Sequence, residues 1–180
     1  MFDPHTPVEI VTLRDERASD VDAIGRVIVA AFEGEPQHGQ FERQIVDALR
    51  ADGALGVSLV AERDDRVIGH VAFSPVSIGG EPAGSHAWYG LAPLAVRPEC
   101  QRQSIGAGLV RTGLDALRRL GARGCVVLGD PAYYARFGFV PSGDLVFPGA
   151  PPEYFLALAF DDAEPRPSGE VRYHAAFYPA

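Results

Sequence analysis

Apolar positions along the chain change period several times, and each change marks an element. Val8 to Leu13 alternates as a half-buried strand does. Ser19 or Asp20 is placed to cap a helix whose apolar side is Val21, Ile24, Val27, Ile28, Ala31 and Phe32. Glu33 to Gly39 reads as a link containing Gly and Pro, after which Phe41, Ile45, Ala48 and Leu49 recur as a second helix. Val57–Glu62 and Val67–Ile78 read as a hairpin turned at Arg63–Arg66. The strand from Ala87 to Val96 contains Gly90 and Pro93, which disrupt a central ladder and predict a bulge. Such a bulge would splay the strand from a parallel neighbour and leave ladder groups open to a ligand; the alternative is an edge strand.

Arg97-Pro98 ends that strand, and Ser104 is an N-cap candidate for a helix carrying Ile105, Leu109, Ala116, Leu117 and Leu120, closed by Gly121 at C′. Gly124–Leu128 is an apolar run of the kind buried in a parallel sheet, so strand, helix and strand form a right-handed βαβ unit. Pro131 opens a short helix that Gly138 ends, with Phe139 entering a strand. Tyr154–Phe160 is a further strand, residues 161–169 are a charged, proline-rich loop, and Val171–Phe177 closes the chain. The pattern predicts a single α/β (α+β) domain over residues 1–180, with a mixed, mostly antiparallel sheet flanked by helices.

Gly106, Gly108 and Gly113 lie inside the helix after the bulged strand, each costing roughly 1 kcal/mol relative to alanine. Close packing on the sheet accounts for Gly113. A pair in the first turn instead lets an anion approach N–H groups that no carbonyl satisfies, at the positive end of the helix dipole and beside Arg102. Residues 101–108 therefore read as a diphosphate cradle. A P-loop is excluded because the chain contains no lysine. A dinucleotide fingerprint over Gly106 and Gly108, with Asp130 downstream, remains as a remote alternative implying an oxidoreductase, although Arg111 stands at its third glycine.

Composition narrows the chemistry further. No apolar run approaches a membrane span and the N-terminus lacks a signal-peptide pattern, so a cytoplasmic protein is expected. Cys100 and Cys125 have no neighbours at metal-ligand or redox spacing, and the five histidines are scattered, so neither a disulfide framework nor a metal site is expected. The net charge of −8 argues against nucleic acid as a partner. Residues 97–136 nevertheless hold seven arginines against Glu99, Asp115 and Asp130. A basic segment in an acidic chain suits an anionic cofactor, and the acidic remainder leans toward a cationic acceptor by steering; solvation of an outer helix face accounts for Arg118 and Arg119.

Gln101, Ser104 and Gly106 occupy the three defined positions of [Q/R]-x-x-G-x-[G/A] at a helix opening after a strand, with Ser104 in place of the usual glycine. One strand later, Tyr134 stands four residues before the pair Gly138-Phe139. With both motifs in this order, the chain resembles the GNAT acyl-CoA N-acyltransferases over about residues 8–145, and a bacterial single-domain subgroup through the form of its second motif and Gly169, Val171, Tyr173 and Phe177. The resemblance implies a splayed pair of parallel central strands, acetyl-CoA as acyl donor, and a primary amine of a small molecule or protein as acceptor, in a monomer or homodimer. It implies that Leu94, Ala95 and Val96 hold the pantetheine arm, and that Gln101, Arg102, Gln103, Ser104, Ile105, Gly106 and Ala107, with Tyr133, hold the rest of the cofactor. Tyr134 would donate a proton to the departing thiolate, as a phenol protonated at neutral pH can. Asp130 replaces an asparagine common in relatives. A non-catalytic acyl-CoA sensor on the same fold is the alternative. Glu33, Glu35, His38, His70 and His86 are all chemically able to serve as base, and the sequence singles out none of them.

Overall fold

The alternation carries through into a run of antiparallel strands. In the computed structural model, which describes residues 10–34, 36–162 and 165–178, Thr12–Asp15 (β1), Val57–Arg63 (β2) and Arg66–Pro75 (β3) pair in turn. After the short Ser77–Ile78 (β4), Trp88–Val96 (β5) returns against β3, and Gly124–Leu128 (β6) lies parallel beside it. Val140–Pro141 (β7), Leu145–Val146 (β8), Phe155–Ala159 (β9) and Gly169–Arg172 (β10) follow. The main sheet has the order β1-β2-β3-β5-β6-β9-β7, and a small second sheet has the order β4-β10-β8.

Helices cover both faces of the main sheet. Val21–Ala31 (α1) and Pro36–Ala51 (α2) bury Ile24, Val27, Ile28 and Val46 on the side of Val60, Val67 and Ala95. Ile105–Arg119 (α3) buries Leu109, Val110, Leu114 and Leu117 on the opposite side, against Leu59, Ala61, Val71, Phe73 and Leu91. Gly113 permits this approach, because a Cβ there would stand 2.2 Å from Phe73. Gly121, at φ +80°, and Ala122 close α3 as a Schellman motif, their N–H groups bonding to the carbonyls of Arg118 and Leu117 at 3.0 Å.

Several expectations move. β1 begins at Thr12, and Val8 and Glu9 lie outside the described residues. The second helix starts at Pro36, inside the segment read as a link, because proline's fixed φ suits the first helical position. The long strand after the hairpin breaks between Pro75 and Ser77, its end joining the second sheet. Leu120 falls at the C-cap of α3 and is 60% exposed rather than part of the buried face. The chain's last strand ends at Arg172, and Ala175–Phe177 is a 3-10 turn whose Ala176 N–H bonds to His174 Nδ1. Asp20 precedes α1 but leaves its amides uncapped; its carboxylate accepts from the Arg17 N–H and the Arg14 guanidinium, tying the helix entry to β1.

The predicted bulge is present. Val71 pairs with Leu94 and Phe73 with Leu91, so β5 carries one extra residue around the cis Ala92–Pro93 bond. β5 pairs with β6 only over Trp88–Gly90, and from Leu91 onward the two parallel strands part.

His70 lies wholly buried on the α1–α2 side of β3, 2.9 Å from Ser58 Oγ, which donates in turn to Glu16; Glu16 is also held by Arg50. Because Ser58 gives its proton to Glu16, His70 is the neutral tautomer protonated at Nε2, and its buried Nδ1 has no partner. Burial, aided by Arg50 and only partly offset by Glu16, lowers the His70 pKa from 6.5 to about 4. The unfolded chain thus binds a proton that the native state refuses, so stability is full above pH 6.5 and falls as pH drops toward 4. The expected loss is about 3 kcal/mol over that window. Urea midpoints measured from pH 7 to pH 4 should lose most of this slope in His70→Gln; an unchanged slope would place the acid sensitivity elsewhere.

Candidate active site

The opening between β5 and β6 is where the backbone runs out of partners. Arg97 donates its N–H to Ile68, and the alternation of an antiparallel ladder therefore turns Ala95 toward His70 of β3. It turns the backbone groups of Leu94 and Val96 away from β3, into the gap. The Val96 carbonyl accepts from Gln101 Nε2 at 3.1 Å, which fixes the turn between strand and helix.

At the helix opening, the first intrahelical bond runs from the Gly108 N–H to the Ser104 carbonyl at 2.9 Å. The amides of Ile105, Gly106 and Ala107 precede it and have no helix acceptor. Ser104 occupies the N-cap position, but its side chain makes no capping bond and its backbone is left-handed, at φ +63°. Arg102 is left-handed too, at φ +59°. The glycine-type turn is therefore kept without the glycine. Ser104→Gly is expected to raise stability by about 1 kcal/mol, the cost of holding an L-residue in that conformation, less glycine's extra unfolded-state freedom. A urea midpoint that does not rise would show that the serine hydroxyl compensates.

A cleft of 530 Å³ lies over these amides, lined by Leu94, Val96, Gln101, Arg102, Ser104, Ile105, Gly106, Ala107 and Tyr133. Nine of the eleven cofactor-binding candidates thus meet on one surface. Ala95 does not: its side chain packs toward α1 and its backbone bonds to β3. Gln103 does not: its amide donates to the Glu99 carbonyl and its Oε1 accepts from Arg63 at 2.8 Å. Gly108 faces Leu13 of β1, so its missing side chain serves packing rather than a ligand's approach. Cys100 and Arg136 also line the cleft. Arg136 stacks over the Tyr133 ring, 4.5 Å from its centre, and with Arg102 gives the cleft two cations.

A second cavity, of 260 Å³, shares Leu94 as a wall and is lined by Phe32, His38, Glu42, Pro93, Leu128 and Tyr134, among others. Tyr134 belongs to Pro131–Tyr134 (α4), which Asp130 caps by accepting from the Ala132 N–H at 2.9 Å; Gly138, at φ +93°, ends the turn that follows. Its ring packs edge-on to Phe139, and burial, reinforced by Tyr133 and Cys125, pushes its pKa further above the ordinary phenol value. Tyr134 therefore holds its proton throughout the neutral range.

Among the base candidates, Glu35 lies outside the described residues, Glu33 and His86 line neither cavity, and His70 is sealed in its own network. His38 does line the second cavity, its ring stacked on Phe32 and its Nε2 3.1 Å from Glu42 Oε1. Glu42 is missed when residues 33–39 are read as a link. A helix started at Pro36 places it one turn beyond His38, and the proline is the signal that could have found it. Among the described residues no group of three His, Cys, Asp or Glu side chains is arranged to hold a metal ion. No helix there is long and apolar enough to cross a membrane.

Parallel central strands that part above an uncapped helix opening define the GNAT class of α/β fold. The chain belongs to this family: the model of the acetyltransferase (GNAT) family matches residues 21–139. It is 39% identical over 170 residues to the protein named Uncharacterized N-acetyltransferase YhbS of Escherichia coli (strain K12), covering 92% of this chain and 97% of that one. A crystal structure of YhbS from Escherichia coli in complex with CoA superposes with a TM-score of 0.86 at 37% identity, over 97% of this chain and 96% of that one. A GNAT family acetyltransferase from Brucella melitensis in complex with acetyl-CoA is 49% identical, with a TM-score of 0.79 over 94% of this chain and 99% of that one.

Proposed function

We propose that the protein transfers the acetyl group of acetyl-CoA directly to a primary amine. The observation that carries this reading is the pairing of two backbone sets, one without ladder partners and one without helix partners, around one cleft. Free amides of Ile105, Gly106 and Ala107 suit a diphosphate, with Arg102 and Arg136 supplying charge. Leu94 and Val96 suit the amides of a pantetheine arm and direct a thioester along the gap toward the second cavity. Support also comes from the two similar proteins crystallised with acetyl-CoA and CoA.

In this reading the residues act as follows. Backbone N–H groups of the splayed strand bind and orient the acyl donor and polarise its carbonyl. The walls of the second cavity bring a neutral amine to that carbonyl, since an ammonium has no lone pair to attack with. Tyr134 delivers a proton to the thiolate as it leaves. The acceptor is the amine of a small molecule or a protein, and the net charge of −8 favours cationic ones by steering.

Thermal unfolding with acetyl-CoA, CoA or NAD(P)H added separately tests the cofactor part. Ligand at about 100 times its Kd should add roughly 2.7 kcal/mol and raise Tm by several degrees. A shift with CoA species alone supports the reading, and its absence removes the acyltransferase assignment. A shift with NAD(P)H would restore the dinucleotide alternative.

A further inference from the structure

The second cavity contains a carboxylate that thiol protonation does not use. Glu42 lines it, and Oε1 is 3.1 Å from His38 Nε2, while Oε2 is shut away from solvent with no hydrogen-bond partner. Burial raises the Glu42 pKa, opposed in part by His38. A buried carboxylate oxygen without a donor is costly, and a small rotation of the Glu42 side chain toward a donor in the cavity would relieve that cost. The rest of the wall is mostly apolar: Phe32, Leu91, Pro93, Leu94, Val127 and Leu128. Among the described residues Glu42 is the one carboxylate on that wall, so a second ammonium on the same ligand would find no counter-charge there.

We propose that Glu42 binds the ammonium group of the acceptor and removes its proton, and that the acceptor is a small monoamine whose remainder is apolar. This rests on the acetyltransferase reading above. Glu42 takes one proton from the ammonium, and His38, half exposed and bonded to the carboxylate, passes it to solvent. The freed nitrogen lone pair forms the C–N bond as the C–S bond breaks and its electrons leave on sulfur. Tyr134 protonates the sulfur and is made whole by the second proton from nitrogen. The balance is one acetylated amine, one CoA thiol and one proton released.

The test measures thiol release by the full chain at saturating acetyl-CoA, with phenethylamine, butylamine, spermidine and a lysine-containing peptide as acceptors, for wild type and Glu42→Gln. The monoamines are expected to exceed spermidine and the peptide by at least ~10-fold in kcat/KM, since a buried unpaired charge is rejected strongly. Glu42→Gln should lose about 100-fold at pH 7, within the usual worth of a general base. That loss should shrink to a few-fold near pH 10, where solvent neutralises amines of pKa about 10. A role in folding alone would give the same loss at both pH values, and that result overturns the proposal, as does a preference for spermidine or the peptide. Binding of acetyl-CoA without turnover of any of the four amines also overturns it and leaves the cofactor reading intact, whereas failure to bind acetyl-CoA brings down both. If the variant does not fold, the wild-type acceptor ranking decides, together with competition by 2-phenylethanol: the alcohol lacks the ammonium and should compete at least ~10-fold more weakly than phenethylamine.

Discussion

Replacing Tyr134 with phenylalanine is expected to lower kcat by about 10³-fold while leaving acetyl-CoA affinity and Tm nearly unchanged. The separation follows from how the side chain is used. Its ring does the packing, edge-on to Phe139 and Tyr133 and close over Gly129, and a phenylalanine ring in its place would keep each of those contacts. Only the hydroxyl is lost, and it belongs to a residue lining the cavity where the thioester carbonyl would meet the amine. Burial raises the phenol's pKa. The same dry surroundings raise the proton affinity of the departing thiolate, so the donor and acceptor stay matched as both are desolvated. Steady-state kinetics with a saturating amine, beside acetyl-CoA binding by thermal shift, separates the two effects. An unaltered kcat would mean that solvent protonates the sulfur and that Tyr134 only packs. A parallel loss of acetyl-CoA binding would make its hydroxyl a cofactor contact instead.

Much of this site can be read from the sequence because its parts are punctuated by residues with few alternatives. Pro98 and Gly121 bracket the cradle helix, Pro131 and Gly138 bracket the tyrosine turn, and Gly90 with Pro93 announces the bulge. The remainder depends on geometry that no local pattern holds. The extra residue in β5 shifts which side chains face α3, so the assignment of Ala95 to the α1 face is settled only by the register against β3. The left-handed backbone at Ser104 is imposed by closing the turn between two fixed elements, and serine gives no hint of it. Glu42 and His38 meet because α2 begins before Gly39, and Gly34 and Gly39 on either side of Pro36 make a helix start read as a link. Leu145–Val146 is too short to show a period and becomes a strand only by pairing with β10.

The cleft over α3 makes an opposed prediction for binding and stability, which few substitutions do. A Cβ built at Gly106 would lie 3.1 Å from the Tyr133 hydroxyl, 3.7 Å from Val96 and 3.8 Å from Leu94, so a side chain there enters the cleft. Tyr133 Oη is the movable end of a side chain and can yield the few tenths of an ångström required. Gly106→Asp would put a carboxylate in the first turn of α3, where the helix dipole favours it by about 0.3–1 kcal/mol and where helix propensity improves on glycine. Stability should therefore hold or rise. A diphosphate approaching the same amides would meet that carboxylate at about 4 Å, with a repulsion of roughly 4 kcal/mol at the effective dielectric of a protein surface. Acetyl-CoA affinity should fall by about 10³-fold, with the loss reduced in high salt. Titration by calorimetry beside a thermal melt reads both signs at once. An unchanged Kd would mean that the anion is held elsewhere, and a matching loss of Tm would mean that Gly106 serves packing, as Gly108 and Gly113 do.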